Sequence, residues 1–306
     1  MDYELAIIGA GPAGYSATIY AVRSGIKTIV FDKAMGGGLA NVSPNIENYA
    51  GFESISGMEL MEKMKQHASK YVNINFNEEV KSIKKENNSF VVETNQKKYK
   101  VKAIILCMGN EYRKLNALGE KELEGRGVSY CATCDGFFFK GKKVAVVGGG
   151  NSALIEAIFL KQIGCEEVFL IHRRDQLRAE KAHEDEAREK QIQIIFNKVV
   201  EKINGKQKVE YLDLKDTVGG ETSKLKVDGV FISIGEVPQN ELAKTLQVKL
   251  DEKGYVITDE QQRTNIKGVY AAGDITGGLR QVVTACAEGA IAALSSTEVL
   301  GKQYPY

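Results

Sequence analysis

Two cysteines with two residues between them are the clearest candidates for chemistry in this sequence. Cys131 and Cys134 stand in the stretch YCATCD, and Asp135 follows them directly. A disulfide between such a pair accepts two electrons, which matches the two electrons that a hydride carries. A carboxyl group beside Cys134 is close enough to give a proton to a leaving sulfur. The stretch therefore predicts a redox-active disulfide, and a helix that opens at Cys134 would stabilise its thiolate.

Structural zinc is the main alternative for a Cys-X-X-Cys pair, and such a site needs about four ligands, usually from a second pair or from paired histidines. The other cysteines are single and fit core packing; they are Cys107, Cys165 and Cys286. The three histidines have no ligand spacing to them; they are His67, His172 and His183. We therefore predict no metal site, and five cysteines in 306 residues do not make a disulfide framework.

A glycine-rich turn near the N-terminus has the form expected for dinucleotide binding. The apolar strand Glu4–Ile8 runs into GAGPAG, a helix follows to about Arg23, and a second strand, Lys27–Phe31, ends at Asp32. The turn has GxGxxG spacing, with its glycines at Gly9, Gly11 and Gly14. These glycines allow a tight turn, a close approach to a pyrophosphate and close packing of helix on strand. The acid at the end of the second strand is placed to bind ribose hydroxyls, so the unit predicts a dinucleotide site.

A second unit of the same kind follows the cysteine pair. The strand Lys143–Val147 leads into GGGNSA, which has GxGxxA spacing at Gly148, Gly150 and Ala153. A helix and the strand Glu167–Ile171 come next, but this strand ends in basic residues: His172, Arg173, Arg174 and, one turn later, Arg178. Guanidinium groups here suit a 2′-phosphate, through charge-assisted hydrogen bonds. The alternative is a solvated charged helix, because residues 175–190 alternate in charge; the position at the strand end favours the phosphate.

Each unit is followed by β-rich sequence that ends in an apolar strand and a glycine. After the first unit, strands are predicted around residues 73–76, 90–94 and 99–105. After the second, they are predicted around residues 194–203, 209–215 and 225–234. A third segment, residues 264–293, holds a short strand, Gly273–Asp274 and a small-residue helix. The predicted fold class is α/β, with two Rossmann-like dinucleotide-binding domains that carry β-meander inserts.

Length and charge limit the possible classes of protein. A chain of 306 residues suggests about two domains, and 41 basic against 40 acidic residues leave a net charge of +1. This balance indicates neither nucleic-acid binding nor membrane binding. No apolar run approaches the length of about 18–20 residues that a membrane span needs, and the first residues lack the basic region of a signal peptide. A cytoplasmic location is therefore expected, where a Cys-X-X-Cys pair is more often catalytic than structural.

Taken in order, the motifs resemble those of the low-molecular-weight thioredoxin reductases, flavoproteins of the two-dinucleotide-domain disulfide reductase superfamily. The resemblance covers essentially the whole chain and rests on GAGPAG, YCATCD, GGGNSA, HRRDQLRA and the segment that begins GVYAAGD. It implies FAD on the first unit and NADPH on the second. A discontinuous FAD-binding domain, residues 1–112 and 238–306, would then hold an inserted NADPH-binding domain, residues 113–237, that carries the redox-active pair.

The resemblance also implies the residues of each site. In the redox centre, Cys134 faces the flavin, Cys131 attacks the disulfide of the partner, and Asp135 is the acid. The residues expected to bind FAD are Gly9, Gly11, Pro12, Ala13, Gly14, Asp32, Lys33, Gly37, Gly38, Leu39, Asn48, Val80, Gly109, Gly273, Asp274, Arg280, Gln281 and Val282. Those expected to bind NADPH are Gly148, Gly150, Asn151, Ser152, Ala153, His172, Arg173, Arg174, Arg178, Ile234 and Gly235.

Two positions depart from the family pattern, and both lie in the expected FAD-binding domain. Gly38 stands where a glutamine is usual, and Ala50 stands where a proline is usual before the GF pair. A glutamine amide beside the FAD is therefore missing. These departures affect the flavin contacts and the redox potential rather than the fold.

The motifs and the resemblance together predict a thioredoxin-disulfide reductase. Electrons would pass from NADPH through FAD and the Cys131–Cys134 pair to thioredoxin or a thioredoxin-like protein, and a homodimer is expected from the family. One alternative is a peroxiredoxin-type partner, whose reductase usually carries an added N-terminal domain that we do not expect here. Another is a different electron donor, such as NADH or a deazaflavin, which Arg173 and Arg174 disfavour. A third is a redox-sensing binding protein without turnover, which the sequence does not exclude.

Overall fold

The computed structural model describes residues 3–43 and 46–303. The chain divides into two compact units. The first takes Met1–Asn41, Tyr49–Glu111 and Val237–Tyr306, and the second takes Val42–Asn48 and Tyr112–Glu236. Most of the second unit is thus one continuous insertion in the first, to which the short segment Val42–Asn48 is added.

Strands and helices alternate along both units. In chain order the strands are β1 Leu5–Ile8, β2 Thr28–Phe31, β3 Ile74–Asn75, β4 Val80–Glu86, β5 Ser89–Thr94, β6 Lys98–Val101, β7 Ala103–Leu106, β8 Asn110–Tyr112, β9 Val128–Ser129, β10 Lys143–Gly148, β11 Glu167–Ile171, β12 Gln193–Ile195, β13 Lys198–Asn204, β14 Tyr211–Asp216, β15 Thr222–Lys226, β16 Gly229–Ser233, β17 Glu236–Pro238 and β18 Val269–Ala271. The α-helices are α1 Pro12–Arg23, α2 Gly57–Ser69, α3 Ala132–Asp135, α4 Asn151–Gln162, α5 Lys181–Glu189, α6 Glu241–Thr245 and α7 Val282–Leu300.

The first unit is built on a parallel sheet with the strand order β18-β7-β1-β2-β3. In the central strand, Leu5 pairs with Thr28 on one side and with Ala103 on the other. Every residue of β1, β2 and β7 is buried, as expected for parallel strands that are covered on both faces. The predicted strand, helix and strand around the first glycine motif are therefore β1, α1 and β2, and the turn leaves the carboxyl end of the central strand.

The second unit repeats this plan with the strand order β12-β11-β10-β16-β9, again parallel. Its central strand is β10, in which Val144 pairs with Val168 on one side and Gly229 on the other. Apolar clusters cover both faces of this sheet. The second glycine-rich turn also leaves the carboxyl end of the central strand, so the predicted α/β class with two Rossmann-like domains is confirmed.

Each unit also carries a three-stranded antiparallel sheet, β4-β5-β6 in the first and β13-β14-β15 in the second, as the predicted meander inserts require. The structure divides three strands that the sequence analysis joined. The strand expected at residues 225–234 is split into the end of β15 and the whole of β16, which lie in different sheets. The strand expected at residues 99–105 is split into β6 and β7, which lie in different sheets, because the Lys102 N–H turns to donate to the Glu4 carbonyl at 2.9 Å. The strand expected at residues 194–203 is split into β12 and β13 at Asn197, whose φ is 54°.

Helix α7 has the length and composition of a membrane span, with a mean hydropathy of 1.2, although its sequence is interrupted by Glu288 and Glu298. The expectation concerned uninterrupted apolar runs, and the two glutamates divide this helix into shorter ones. Within the first unit, α7 packs along α1, where a methyl group built on Gly289 would lie 2.1 Å from the Ala13 carbonyl oxygen. Such close packing of small residues is typical of a helix in the core of a globular domain.

Candidate functional site

Cys131 and Cys134 form a disulfide in the second unit, with their Cα atoms 5.3 Å apart. Cys131 is the N-cap of α3, so the helix begins before Cys134 and Cys134 does not open it. The N–H groups of Cys134 and Asp135 both donate to the Cys131 carbonyl, at 3.2 and 3.1 Å. One helical turn therefore holds the two sulfurs together. The dipole of so short a helix is small, and it contributes little to stabilising a thiolate.

Asp135 ends this helical turn, and two hydroxyl groups hold its carboxylate. Ser129 Oγ donates to Asp135 Oδ2 at 2.6 Å, and Ser43 Oγ donates to Oδ1 at 3.3 Å. Burial raises the pKa of Asp135, while both hydrogen bonds stabilise the carboxylate and oppose that rise. A half-buried carboxyl with a raised pKa, adjacent in sequence to Cys134, suits the exchange of protons with sulfur.

The first glycine-rich turn packs tightly at two of its glycines and leaves space at the third. Gly9 has a φ of 104°, and a methyl group built on it would lie 2.3 Å from the Cys107 carbonyl oxygen. A methyl group on Gly14 would lie 1.9 Å from the Gly9 carbonyl oxygen. A methyl group on Gly11 meets no protein atom within 4 Å, although Gly11 is the N-cap of α1 and no side chain caps that helix. This space at a helix N-terminus suits a pyrophosphate.

Asp32 joins the end of β2 to the same turn. Its Oδ2 accepts a hydrogen bond from the Ala10 N–H at 2.7 Å. The following loop also comes back to the turn, where the Gly37 N–H donates to the Ala10 carbonyl at 2.7 Å. A methyl group built on Gly38, whose φ is 59°, would lie 3.9 Å from the Gly11 Cα. The structure therefore brings four of the predicted contacts of the first site together: Gly11, Asp32, Gly37 and Gly38.

The segment around Gly273 lies against α1 and adds a residue that the sequence analysis missed. A methyl group built on Gly273 would lie 3.0 Å from the Ala13 Cβ. The Gly273 N–H donates to Glu288 Oε2 at 2.7 Å, and the Thr276 hydroxyl donates to the same oxygen at 3.1 Å. Burial raises the pKa of Glu288. The Glu288 carboxylate thus holds the segment around Gly273 in place. Its sequence context does not predict this contact, because its partners lie more than ten residues away in the chain.

Three predicted contacts stand at the start of α7. Gln281 is the N-cap, and its N–H donates to Thr284 Oγ1 at 3.2 Å in a capping box. Arg280 Nη1 donates to the Tyr255 hydroxyl at 2.9 Å, and Val282 is the first helical residue. These hydrogen bonds fix the backbone where the helix begins. Asp274, which is half-buried, lies eight residues before Val282 in the chain.

Five other predicted contacts of the first site are assigned by the resemblance alone. Lys33 is exposed and forms an ion pair with Glu111 at 2.9 Å. Val80 is buried in the apolar core, and Gly109 has a φ of 65°. Asn48 is exposed and belongs to the segment that clusters with the second unit. Leu39 follows Gly38 in a 3₁₀ turn and is half-buried.

The second glycine-rich turn repeats the geometry of the first. A methyl group built on Gly148 would lie 2.4 Å from the Ser233 carbonyl oxygen and 2.5 Å from the Ala153 Cβ. A methyl group on Gly150 meets no protein atom within 4 Å, and Gly150 is the N-cap of α4 without a side-chain cap. The second turn therefore also leaves space for a pyrophosphate at a helix N-terminus.

The residues after β11 divide into one buried histidine and exposed arginines. His172 is 5% exposed, and its Nδ1 donates to the Gly148 carbonyl at 2.9 Å. Burial lowers the pKa of His172; hydrogen bonds to backbone oxygens oppose this, and the charges of Arg178 and Arg173 reinforce it. Arg173, Arg174 and Arg178 are all exposed. The basic cluster predicted from the sequence therefore offers three exposed guanidinium groups. The buried histidine instead stabilises the glycine-rich turn through its hydrogen bond to Gly148.

Backbone bonds keep the arginine loop in place. The Arg178 N–H donates to the Gly149 carbonyl at 2.7 Å, which ties the loop to the glycine turn. The Thr217 hydroxyl donates to the Arg173 carbonyl at 3.2 Å, from the hairpin between β14 and β15. Sequence analysis missed Thr217, because it lies 44 residues from the arginine that it contacts.

The remaining predicted contacts of the second site have varied surroundings. The Asn151 side chain bonds to Glu180, donating to Oε1 at 2.9 Å and accepting from its N–H at 2.8 Å. Ser152 is exposed in the first turn of α4. Ile234 is half-buried, and Gly235 has a φ of 101° at the end of the last strand of the unit's parallel sheet.

The other three cysteines are separate thiols. Cys107 and Cys165 are buried, and Cys286 is half-buried. Burial raises the pKa of Cys165 to about 11 and the pKa of Cys286 to about 11, so both stay protonated near neutral pH. Within residues 3–43 and 46–303, no group of three or more His, Cys, Asp or Glu side chains is arranged to hold a metal ion.

Comparisons with known proteins agree with this geometry. Residues 3–289 match the family described as pyridine nucleotide-disulphide oxidoreductase. The chain is 43% identical to the thioredoxin reductase of Bacillus subtilis (strain 168) over 296 residues, which is 96% of this chain and 93% of the relative. The crystal structure of thioredoxin reductase from Streptococcus pyogenes MGAS5005 has a TM-score of 0.93 at 39% identity, with 98% of each chain covered. A ferredoxin-flavin thioredoxin reductase from Clostridium acetobutylicum has a TM-score of 0.53 at 34% identity, again with 98% of each chain covered.

The family match spans both glycine-rich turns and the cysteine pair. Such a family implies a flavin and a nicotinamide dinucleotide, and the space beyond Gly11 and Gly150 fits the diphosphate that dinucleotides share. The resemblance inferred from the motifs is therefore confirmed. The chain belongs to the pyridine nucleotide-disulphide oxidoreductase family and, within it, to the thioredoxin reductases.

Proposed function

We propose that the chain is an NADPH-dependent thioredoxin-disulfide reductase, with FAD on the first unit and NADPH on the second. The FAD-binding domain would comprise residues 1–112 and 238–306, and the NADPH-binding domain residues 113–237. The observation that carries the proposal is the Cys131–Cys134 disulfide on one helical turn, with the half-buried carboxyl of Asp135 next to it in the chain and its pKa raised by burial. A disulfide that only stabilises a fold needs no such acid as its neighbour.

FAD suits the first unit because an acid ends the second strand there. Each carboxylate oxygen of Asp32 accepts one backbone N–H, from Ala10 or Ala34, and keeps a lone pair for a ribose hydroxyl. The turn at Gly11 would hold the pyrophosphate, and the Gly273–Val282 segment would lie along the rest of the cofactor. The roles of the individual residues in this site follow from the resemblance and the placement of the segments around α1.

NADPH suits the second unit because the corresponding strand ends in arginines. Arg173, Arg174 and Arg178 are exposed, and guanidinium groups bind phosphates in a bidentate geometry that a ribose hydroxyl cannot use. The turn at Gly150 would hold the pyrophosphate. His172 would act indirectly, by holding the Gly148 carbonyl and with it the shape of the turn.

The cysteine pair would pass two electrons to a protein disulfide. When bound, the flavin and the nicotinamide supply hydride transfer, which is a two-electron reduction. Reduction breaks the Cys131–Cys134 bond, with Cys134 on the flavin side. Cys131 then attacks the disulfide of the partner, and Cys134 resolves the mixed disulfide that forms. Asp135 would give a proton to the thiolate that reduction leaves and would take one from the attacking thiol.

A small redox protein is the proposed substrate. Phe137 follows Cys134 by three residues and is 61% exposed, and an exposed aromatic side chain next to a redox site favours docking of a protein. We propose thioredoxin or a thioredoxin-like protein as the partner, a homodimer as the assembly and the cytoplasm as the location.

Anaerobic titration of the purified flavoprotein tests this function. NADPH should bleach the flavin absorbance, oxidised thioredoxin should restore it, and NADH should act much more weakly than NADPH. Bleaching by NADPH with no reduction of any thioredoxin would contradict the proposed substrate. If other small disulfide proteins restore the flavin absorbance faster than thioredoxin does, the partner is a thioredoxin-like protein instead.

A second candidate keeps the flavin and the dithiol but takes electrons from ferredoxin. The match to a ferredoxin-flavin thioredoxin reductase at 34% identity favours it. The three exposed arginines after β11 oppose it, because a donor without a 2′-phosphate has no need of them. Flavin that is bleached by reduced ferredoxin and not by NADPH would establish this second candidate.

A further inference from the structure

Ser129 links the acid of the redox centre to the backbone of Cys131. Its hydroxyl donates to Asp135 Oδ2 at 2.6 Å and accepts the Cys131 N–H at 3.1 Å. Ser129 is buried in β9, which pairs with β16 through Ser129 and Phe231. A strand of the parallel sheet therefore fixes the carboxylate relative to the cysteine pair, more rigidly than a loop would.

Ser43 provides a second and weaker contact to the same carboxylate. Its hydroxyl donates to Asp135 Oδ1 at 3.3 Å, against 2.6 Å for the bond from Ser129. Because shorter bonds to a charged acceptor are stronger, Ser129 contributes more to holding the carboxylate. Ser43 is therefore a matched control for Ser129, with the same chemistry at a longer distance.

A cavity of about 280 Å³ in the second unit reaches this carboxylate. Both Asp135 and Ser129 line it, and the charged side chains around the rest of it are Arg126, Lys142, Lys208 and Asp228. The arginine and the two lysines are exposed, so the cavity opens to water. The Asp228 carboxylate accepts the Lys143 N–H at 3.0 Å, and the Lys142 ammonium donates to the Phe138 carbonyl at 2.7 Å. The lining is thus net positive and large enough for several waters or a small anion.

We propose that Ser129 is a positioning residue for Asp135 and that Asp135 exchanges its proton with water through this cavity. The inference rests on the proposed function, because it takes Asp135 as the acid of the redox centre. Beyond the proposed function, it states that Ser129 orients the Asp135 carboxylate and that water in the cavity returns the proton of Asp135. A half-buried acid without such a route to water would lose its proton to sulfur and regain it slowly.

The steps balance in protons and electrons. Two electrons and one proton break the Cys131–Cys134 bond and leave one thiol and one thiolate. Asp135 gives its proton to the thiolate, which leaves a dithiol and the Asp135 carboxylate. When the dithiol reduces the partner disulfide, the carboxylate takes the proton of the attacking Cys131 thiol and gives it to the leaving partner sulfur, and the Cys134 thiol supplies the second proton. Water in the cavity then gives the Asp135 carboxylate the proton that it lost. The two partner sulfurs leave with two electrons and two protons in total, and the cysteine disulfide forms again.

Single-turnover kinetics tests the positioning role. The protein is reduced with NADPH, mixed with oxidised thioredoxin from about pH 5 to about pH 9, and the apparent pKa of the reoxidation step is measured. S129A should raise that pKa by about one unit, because the carboxylate loses its shortest hydrogen bond. S43A should raise it less, and S129T should keep the wild-type profile. Reduction of the flavin by NADPH should be unchanged in all three.

Several results would overturn the role of Ser129. An unchanged apparent pKa in S129A, or an equal loss in flavin reduction and reoxidation, would mean that Ser129 has only a structural role. If S129A does not fold, S129C retains the volume but has a weak donor, and it should give the same upward shift. A wild-type profile in D135N would instead overturn the proposed function of Asp135 itself.

Chemical rescue tests the cavity. In D135A the rate of reoxidation should fall and lose its dependence on pH. Added formate, which is small and anionic, should raise that rate severalfold. Chloride at the same concentration serves as the control for ionic strength. K208E should weaken the rescue of D135A, because it makes the cavity lining less positive. Failure of formate to accelerate D135A at any concentration would overturn the proposed proton route while leaving the role of Ser129 to the first experiment.

Discussion

The two glycine-rich turns have the same backbone geometry, but different side chains brace them. In the first unit, the Asp32 carboxylate at the end of β2 accepts the Ala10 N–H. In the second, the His172 ring at the end of β11 donates to the Gly148 carbonyl. An acid therefore braces one turn, at the position where the proposed FAD site needs a partner for the ribose. A buried histidine braces the other turn, where the proposed NADPH site would use the arginines.

This difference indicates how a duplicated unit acquires two ligands. The glycines create a diphosphate site that is the same in both copies, because the central strand and the helix N-terminus are the same. In the proposed assignment, the residues after the second strand would decide between a free ribose and a phosphorylated one. The second unit alone carries the disulfide and the neighbouring acid, so short segments attached to a common frame would determine both the chemistry and the choice of nucleotide.

The largest expected effect is the complete loss of disulfide reduction in C131S or C134S, which separates this step from the reduction of the flavin. Each variant lacks one sulfur of the pair, so electrons reach the flavin but cannot leave through a dithiol. NADPH should still bleach the flavin at the wild-type rate. Stopped-flow absorbance and a thioredoxin assay measure the two steps, with Cys286→Ala as the control outside the pair. Full activity of C131S on thioredoxin would show that the relay is assigned wrongly.

Alanine at the middle glycine of each turn should separate the two cofactors. G11A and G150A place a methyl group in space that meets no protein atom within 4 Å, so both variants should fold. G11A should purify with little flavin, and G150A should keep its flavin but have a KM for NADPH raised about tenfold or more. Flavin absorbance per protein and steady-state kinetics measure these effects. Loss of flavin in G150A would contradict the assignment of the second turn.

Removing the arginines should change nucleotide preference and little else. R173A combined with R174A should raise the KM for NADPH about ten- to hundredfold, because the loss of one bidentate phosphate contact costs about 1.5–3 kcal/mol. The KM for NADH should stay nearly the same. Arg188→Ala is the control, since this exposed arginine on α5 pairs with Glu184 instead. Equal increases for both nucleotides would mean that the cluster is ordinary charged surface.

Local signals in the sequence predicted the frame and the reactive residues. GAGPAG and GGGNSA identify both turns because their glycines perform packing tasks that no larger residue can perform, as the contacts of Gly9, Gly14 and Gly148 show. The cysteine pair is equally local, because one turn of helix contains it. These features depend on neighbours in the chain, so the sequence contains what is needed to predict them.

Contacts between distant parts of the chain were not predictable in this way. Ser43 lies 92 residues from the carboxylate that it contacts, and a serine in a loop has no pattern that marks it. Apolar periodicity also did not reveal the breaks at Lys102 and Asn197, because the strands on both sides are equally apolar. The histidine was taken for part of the basic cluster, since only the structure shows that its ring is buried beneath Gly149.

The smallest expected effect concerns His172, and it tests whether the second turn is held by a neutral imidazole where the first is held by the Asp32 carboxylate. Burial lowers the pKa of His172 in the folded protein, whereas an unfolded histidine titrates near 6.5. Below that pH the unfolded chain binds a proton that the folded chain resists, so the contribution of His172 to the free energy of unfolding is lost as the pH falls. The difference in unfolding free energy between wild type and His172→Gln, measured by urea unfolding of the flavoprotein, should therefore shrink or reverse on acidification through about pH 6.5. His67→Gln, which removes an exposed histidine from α2 of the first unit, is the matched control variant. A difference between wild type and His172→Gln that does not change with pH would mean that the second turn is not braced by a buried neutral imidazole.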